Sequence, residues 1–172
     1  GVAVEWFDAR EVIRTDARFG AARPDRERIA ERTQQLLSPK LQPGKVVITQ
    51  GYVGATDIGV TTTLGRGGSD YSAALLAGPL GAEELQIWTD VVGIMTCDPR
   101  VVERAVTIEE IHFDEAAELA AFGAKVLHPS TIQPAVDASI PVTVRHTLRE
   151  HGRYTSIRSD VRRSGEVTAL AS

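Results

Sequence analysis

The sequence Thr61-Thr62-Thr63-Leu64-Gly65-Arg66-Gly67-Gly68-Ser69-Asp70 ends a strand-like region and leads directly into the apolar run 71–77. Its three glycines in four positions allow a close approach of the backbone to an anion and permit positive φ. A helix that begins at Ser69 or Asp70 would point unpaired N–H groups at that anion. Arg66 adds a planar, permanent positive charge, and Asp70 is a metal partner, a cation orienter or an N-cap. The stretch therefore predicts a cradle for a phosphate or a carboxylate.

The same stretch has a structural alternative, because Gly-Gly-Ser-Asp before an apolar helix often forms only a tight turn with a good cap. It matches neither G-x-x-x-x-G-K-[ST] nor G-x-G-x-x-G, which excludes a P-loop and a dinucleotide fingerprint. The position of Arg66 among the glycines favours the anion site, since a plain turn does not require an arginine there.

Composition narrows the functional class. The chain has 172 residues, 42% of them hydrophobic, which suffices for one sizeable core. A formal net charge of -4 argues against a general binder of nucleic acid or of membrane surfaces. The single Cys97 excludes an internal disulfide, and the histidines lack the spacing of a metal site. No apolar run is long enough to span a bilayer, so we expect a cytoplasmic protein without nucleic-acid or membrane partners.

Strands and helices alternate along most of the chain. We predict strands at 2–7, 11–14, 45–51, 85–89 and 141–145 and helices at 25–37, 70–76, 113–122 and 130–136, with a loop at 51–59. The continuous apolar run 45–51 predicts a parallel strand buried on both faces. The alternation predicts an α/β fold with a mainly parallel sheet covered by helices on both faces, and the glycine-rich stretch follows a strand end, where such sheets bind ligands.

Single residues add smaller expectations. Pro24 suits the first turn of its helix, and Asp114 is a plausible cap for the helix that follows it. Trp6 and Trp88 are expected in the core rather than on a stacking surface. Cys97 has no obvious histidine partner, which favours packing over a role as nucleophile.

Three further charged residues lie where strand ends and loops are predicted: Asp90, Arg100 and Lys125. With Arg66 they form a candidate set of cations for a polyphosphate and an acid for a ribose, a base or a metal. A salt bridge or a loop cap is the commoner explanation for any one of them. The set is more informative than its members, because phosphoryl transfer mainly requires positioning and charge neutralisation.

Four ordered motifs resemble aspartate kinase, closest to its lysine-sensitive, single-function type. They are residues 61–73, Trp88-Thr89-Asp90-Val91, Thr96-Cys97-Asp98-Pro99-Arg100 and Phe122-Gly123-Ala124-Lys125-Val126-Leu127-His128-Pro129. The similarity extends to Arg18-Phe19-Gly20 and Gln50-Gly51 and runs from about residue 2 to about residue 145. It implies the amino-acid kinase (acetylglutamate kinase-like) fold, an α/β/α sandwich that is here incomplete at its N-terminus.

The resemblance implies phosphorylation of the side-chain carboxylate of L-aspartate by ATP with Mg²⁺, which gives 4-phospho-L-aspartate at the start of lysine, threonine and methionine synthesis. It implies that Arg66 pairs with a carboxylate of aspartate and that Asp70 orients the amino group or the cations. Residues implied to line the aspartate pocket or approach the transferred phosphate are Gly67, Gly68 and Ser69. Residues implied to contact the nucleotide are Thr89, Asp90, Met95, Arg100, Lys125 and Val126. A homo-oligomer of the full-length protein is also implied.

Departures from the family pattern set the remaining expectations. The N-terminal Lys-Phe-Gly-Gly-Thr-Ser motif is absent from the sequence, Met95 replaces a common tyrosine, and Val92 replaces a common proline. We therefore expect a fragment that is inactive alone: part of a catalytic domain at 1–145, a linker at 146–165 and the first strand of an ACT regulatory domain at 166–172. The alternatives are a non-catalytic nucleotide-binding or subunit-pairing module, and an amino-acid kinase with another substrate, such as glutamate, acetylglutamate or a nucleotide.

Overall fold

The chain divides into two compact units. The computed structural model describes residues 1–121, 127–149, 151–161 and 169. The first unit consists of residues 1–82, and the second begins at Glu83.

The first unit combines two small sheets with two helices. In chain order it contains β1 (Ala3–Phe7), a 3-10 turn (Ala9–Glu11), α1 (Arg26–Arg32), a π-helical turn (Thr33–Leu37), a second 3-10 turn (Ser38–Lys40), β2 (Lys45–Thr49), β3 (Val53–Ala55), β4 (Thr61–Thr63) and α2 (Gly68–Leu80). β1 pairs with β2 in parallel, and β3 pairs with β4 in antiparallel orientation. The hydrophobic core is formed by Phe7, Ala9, Val12, Ile13, Ile29, Leu37, Leu64, Leu75 and Leu76.

α1 and the π-helical turn that follows it bury one face of the segment 26–37. Ile29 and Thr33 are fully buried and Leu37 nearly so, while Glu27 is exposed. The helix begins one residue later than predicted, because the side chain of Asp25 accepts the Arg28 N–H as the N-cap. Pro24 therefore precedes the cap and is not in the first turn.

The predictions for the two strands on either side of α1 were partly wrong. Phe7 is buried, but Val4, Trp6, Val46 and Ile48 are between 47% and 62% exposed. Val4 lies opposite Val46, and Trp6 lies opposite Ile48, so the four side chains form one continuous apolar strip. β2 is thus packed on one face only, and Trp6 is not a core residue. We call these four residues the apolar strip.

Two local predictions were overturned by tertiary packing. The predicted strand at 11–14 is absent, because Val12 and Ile13 enter the core from a turn that Asp8 caps and only Arg14 makes an isolated bridge, to Ala55. The predicted loop 51–59 contains β3. The pairing of β3 with β4 gives this short segment its strand geometry, and its own sequence carries little β signal.

The second unit is built on a four-stranded sheet. Its described elements are β5 (Leu85–Thr89), β6 (Glu110–His112), α3 (Phe113–Ala121), α4 (Pro129–Asp137), β7 (Val142–His146) and β8 (Thr155–Arg158). The strand order is β5-β7-β8-β6, with β5–β7 and β6–β8 parallel and β7–β8 antiparallel. The predicted strands and helices of this region are confirmed to within a few residues, in a sheet that is mixed because β8 runs against β7.

β8 lies inside the segment 146–165, which we expected to be a linker. Thr155 and Ile157 are fully buried, while Ser156 and Arg158 alternate with them and are only partly buried. Because two of the four residues are polar and one is charged, the strand lacks an apolar run. This part of the segment belongs to the sheet of the second unit.

Two further expectations for the second unit were wrong. Trp88 is 43% exposed, because β5 alternates and Ile87 takes the inward position. Asp114 is not the cap of α3; its N–H is accepted by Nδ1 of His112 at 3.2 Å, and Glu115 Oε2 accepts the His112 N–H at 3.3 Å. This reciprocal arrangement gives His112 a structural role at the start of the helix.

Candidate functional site

The glycine-rich stretch starts α2 by an unusual cap. Gly67 is the N-cap with φ 68° and ψ 17°, in the left-handed region that favours glycine, and Gly65 has φ 77°. The helix begins at Gly68, slightly earlier than predicted, and continues through Pro79 to Leu80. Asp70 therefore lies in the first turn, and its interpretation as the N-cap is wrong.

A cavity of about 410 Å³ opens above this helix start. Its lining residues are Gly20, Tyr52, Gly65, Arg66, Gly67, Gly68, Ser69 and Asp70. The five residues predicted for the aspartate half of the site are all present in this one cavity, which we call the cradle cavity.

The cradle cavity offers hydrogen-bond donors that the described part of the chain does not use. The N–H of Gly68 bonds to the Gly65 carbonyl at 3.0 Å, and that of Tyr71 bonds to the Gly67 carbonyl at 3.0 Å. The N–H groups of Ser69 and Asp70 have no acceptor among the described residues. They are the orphan donors of a helix N-terminus, where the helix dipole also favours negative charge.

The charged side chains of the cavity are complementary to a small zwitterion. Arg66 is exposed and has no ion-pair partner within the described residues, whereas Arg10 and Arg28 are each held by a carboxylate. Burial raises the pKa of Asp70, whose carboxyl is half-buried and has no hydrogen-bond donor in the same described set. A cationic group next to Asp70 would offset that desolvation.

Tyr52 and Gly20 were missed as lining residues. Tyr52 has φ 74°, which is uncommon for a residue other than glycine, and a Cβ added at Gly68 would lie 2.6 Å from Cδ2 of its ring. Gly20 reaches the cavity because the carbonyl of Phe19 accepts the N–H of Thr63 at 2.9 Å. The available signal was the pair of short matches that contain or adjoin these residues, Arg18-Phe19-Gly20 and Gln50-Gly51.

The segment before Tyr52 is fixed by Gln50. Its Oε1 accepts the N–H of Ala9 at 2.8 Å, and its Nε2 donates to Oδ1 of Asp8 at 3.0 Å. Hydrogen bonds from Arg10 to the Asp8 carboxylate lower its pKa to about 2, so that carboxylate is ionised throughout the neutral range. Gln50 thereby anchors one wall of the cradle cavity to the end of β1.

The residues predicted to contact a nucleotide belong to the second unit. Thr89 and Asp90 follow one another at the carboxyl end of β5, and Thr89 Oγ1 donates to Asp90 Oδ1 at 3.1 Å. Met95 is half-buried in the following loop, where it forms a bridge with Thr107. This places Thr89 and Asp90 at a strand end and Met95 on an anchored loop.

Of the other three residues predicted to contact the nucleotide, the structure describes only Arg100. Arg100 is 85% exposed and pairs with Asp98 at 2.6 Å, which raises the pKa of the guanidinium. The salt-bridge interpretation therefore applies to Arg100, and a phosphate would have to compete with Asp98. Lys125 and Val126 lie outside the described residues.

Across the described ranges no three or more His, Cys, Asp or Glu side chains cluster as metal ligands, and no helix is long and apolar enough to cross a bilayer.

Residues 1–146 match the amino acid kinase family, and the chain belongs to that family. The fold expected from the sequence motifs is thereby confirmed. Among curated relatives, the lysine-sensitive aspartokinase 3 of Escherichia coli (strain K12) is 59% identical over 143 residues, which are 83% of this chain and 32% of the relative. The aspartokinase of Chlamydia trachomatis serovar D is 40% identical over 160 residues, which are 93% of this chain and 36% of the relative. The chain spans about a third of the length of these relatives.

Solved structures give the same result. Aspartokinase III of E. coli in complex with lysine and aspartate superposes with a TM-score of 0.88 at 52% identity, covering 98% of this chain and 38% of the other. The same enzyme in complex with aspartate and ADP gives 0.85 at 53% identity, covering 94% and 36%. A UMP kinase from Ureaplasma parvum shares the fold at 15% identity and a TM-score of 0.53, covering 91% of this chain and 60% of the other.

Proposed function

We propose that this chain is part of an ATP-dependent kinase that phosphorylates the side-chain carboxylate of L-aspartate. The observation that carries the proposal is the cradle cavity. Arg66, Ser69 and Asp70 all line it. Among the described residues, Arg66 has no ion-pair partner, and the N–H groups of Ser69 and Asp70 have no acceptor. Similarity to aspartokinases, one of them solved with aspartate and ADP, supports this choice of substrates.

The charges of the cavity correspond to those of aspartate. The guanidinium of Arg66 can form two parallel hydrogen bonds to one carboxylate, and the N–H groups at the start of α2 can receive a second anionic group. The Asp70 carboxylate, half-buried and unpaired among the described groups, suits the ammonium group. Arg66 and the N–H groups at the start of α2 thus suit the two carboxylates of aspartate, and Asp70 suits its ammonium group.

The transfer itself needs little covalent chemistry from the protein. An oxygen of the aspartate side-chain carboxylate attacks the γ-phosphorus of ATP, the bond from that phosphorus to the β,γ-bridging oxygen breaks, and ADP leaves with the electron pair. The attacking carboxylate is already ionised at neutral pH, so no general base is required. Arg66 and the start of α2 hold the attacking group and stabilise the charge that develops on the transferred phosphoryl group.

For the nucleotide, we propose contacts from Thr89, Asp90 and Met95, with Arg100, Lys125 and Val126 completing the set. Asp90 is a carboxylate of the kind that suits Mg²⁺, and a bound Mg²⁺ would neutralise phosphate charge. The lack of a larger acidic cluster in the described residues is compatible with a cation that the nucleotide phosphates hold for the most part. Arg100 must exchange Asp98 for a phosphate oxygen to take part.

The first test is calorimetric titration of the chain with L-aspartate, then with L-glutamate, N-acetyl-L-glutamate and UMP. We expect selective binding of aspartate, which Arg66→Ala weakens about 10-fold or more because a charge-assisted pair is lost. Arg28→Ala is the matched control, since it removes another exposed arginine of the first unit that lies outside the cavity. Selective binding of another acceptor would replace aspartate in the proposal.

Turnover is tested in a segment exchange, in which residues 1–146 replace the matching segment of the E. coli relative. Acyl phosphate formed from aspartate and ATP is trapped with hydroxylamine and measured. We expect turnover in the exchanged enzyme and its loss on Arg66→Ala. Nucleotide binding without turnover would favour the non-catalytic module.

A further inference from the structure

Ser72 lies one turn into α2, and its side chain is 3% exposed. Its hydroxyl donates to the Gly68 carbonyl at 2.7 Å, within the helix, and accepts the backbone N–H of Tyr52 at 2.8 Å. Back-bonding of a serine to the carbonyl four residues earlier is ordinary, whereas the simultaneous acceptance of an N–H from a distant segment is not required by the helix. This relay links two lining residues of the cradle cavity through one buried oxygen.

The residue at the far end of the relay is held in an unfavourable conformation. Tyr52 has a left-handed φ of 74°, and its carbonyl also accepts the N–H of Leu64 at 2.9 Å. A conformation of this kind persists only where surrounding interactions maintain it. The adjacent Gly51 packs directly on Ser69, with only 3.1 Å from its notional Cβ to the Ser69 Cα, so the segment is pressed against the first turn of α2.

We propose that Ser72 is a positioning residue for the cradle cavity. Its hydroxyl keeps the Tyr52 turn closed on Gly68, and thereby fixes the wall that faces Arg66 and the free N–H groups of the helix start. Without the hydroxyl, the Tyr52 N–H loses its acceptor, and the turn can relax toward negative φ. The ring would then leave Gly68, and the cavity would lose its shape while the core remained packed.

The test compares three variants of the full 172-residue chain. Ser72→Ala removes the relay, Ser72→Thr keeps a hydroxyl, and Thr56→Ala removes another buried hydroxyl of the first unit, which accepts the Val60 N–H outside the cavity. Amide hydrogen exchange of Tyr52, Leu64 and Gly68, whose N–H groups are hydrogen-bonded in the folded chain, is measured first, because it needs no ligand. We expect exchange to accelerate at least 10-fold in Ser72→Ala and to stay near wild type in the other two.

The affinity for L-aspartate is the second readout, and this arm rests on the proposed function. We expect the dissociation constant for L-aspartate to rise roughly 10-fold in Ser72→Ala. It should return to the wild-type value in Ser72→Thr and stay at that value in Thr56→Ala. Failure of the wild type to bind aspartate would count against the proposed function alone. The role of Ser72 would still be tested by hydrogen exchange, which needs no ligand. Exchange in Ser72→Ala within twofold of wild type, or equal acceleration in Thr56→Ala, would overturn the assignment.

Discussion

The hydroxyl oxygen of Thr155 accepts the backbone N–H of Ile94 at 2.8 Å and so ties β8 to the loop that carries Met95. The same hydroxyl donates to the Ile108 carbonyl at 2.7 Å. Gly93 makes this approach possible, because a Cβ there would lie 2.4 Å from the Thr155 oxygen, and its φ of 138° is also unfavourable for other residues. The loop that we propose for nucleotide binding is thus held by a residue of β8 that follows Ile94 by 61 positions.

Thr155→Val should therefore destabilise the chain by about 1–3 kcal/mol, because it leaves the buried N–H of Ile94 and the partly buried carbonyl of Ile108 without this partner. It should also weaken ATP binding several-fold, since the Met95 loop loses its anchor. Chemical denaturation and calorimetric titration measure the two effects. Thr131→Val is the matched control, because its buried hydroxyl donates to the His128 carbonyl away from this loop. An equal loss of ATP affinity in both variants would refute the anchoring role.

Asp70→Asn should stabilise the folded chain at pH 7 while it weakens aspartate binding about 10-fold or more. Burial raises the pKa of Asp70 in the folded state, so ionisation opposes folding. The wild type consequently loses stability as pH rises from the usual aspartate pKa through the raised one, and the variant does not. Thermal melts at pH 3 and pH 7 should show a gain for Asp70→Asn at pH 7 only. A gain of the same size at both values would exclude burial of the charge as its cause.

Gly51→Ala should weaken aspartate binding about 10-fold, because the new methyl would lie 3.1 Å from the Cα and 3.2 Å from the Cβ of Ser69. The closest of these is a backbone atom, so relief requires movement of the helix start that lines the cradle cavity. Gly44→Ala serves as the control: its φ of 76° makes it strained as well, but a methyl there meets no atom within 4 Å. Titration with aspartate should leave Gly44→Ala at wild-type affinity, and a similar loss in both variants would contradict the steric argument.

Glu84→Gln should destabilise the second unit by about 1 kcal/mol at neutral pH. Burial alone would raise the pKa of Glu84, but hydrogen bonds from Thr143, Gln86 and Arg145 outweigh it and hold the pKa below its usual value. The ionised carboxylate is therefore stabilising above the unfolded-state pKa, and its contribution is lost as pH falls through the lower folded-state pKa. Denaturation at several pH values should show the difference from wild type closing in acid.

The control for this prediction is Glu83→Gln, which changes an exposed neighbouring carboxylate. This variant should have nearly the same free energy of unfolding as the wild type at every pH. The same experiment with Arg145→Lys tests the stacking of the guanidinium on Tyr154, 4.0 Å from the ring centroid. A lysine keeps the charge but loses the planar contact, so full stability in Arg145→Lys would show that charge alone supports Glu84.

The cradle cavity was predictable because its determinants are local. Gly65 and Gly67 have positive φ, and the charge of Arg66 lies between them; the freedom to adopt positive φ and the charge both follow from residue type. Tyr52 was not predictable in this way, since its turn depends on a hydroxyl 20 residues later. The helix start that lines the cradle cavity can therefore be read from the sequence, whereas the opposite wall at Tyr52 cannot.

The same distinction explains the errors in the fold. β8 was missed because Thr155 and Ser156 are polar and carry no apolar strand signal. Only the pairing with the rest of the sheet buries Thr155. Trp6 and Trp88 were assigned to the core by residue type, but the period of two along each strand places them on the outer side. Periodicity was a better guide than hydrophobicity for both tryptophans.

The apolar strip on β1 and β2 has a practical consequence for handling the protein. Dyes that report unfolding by binding exposed hydrophobic surface will bind Val4, Trp6, Val46 and Ile48 in the native chain, because these side chains are already about half exposed or more. Dye-based melting curves will therefore start from a high baseline and understate the transition. Circular dichroism, which follows backbone structure, is the appropriate readout for every stability comparison above.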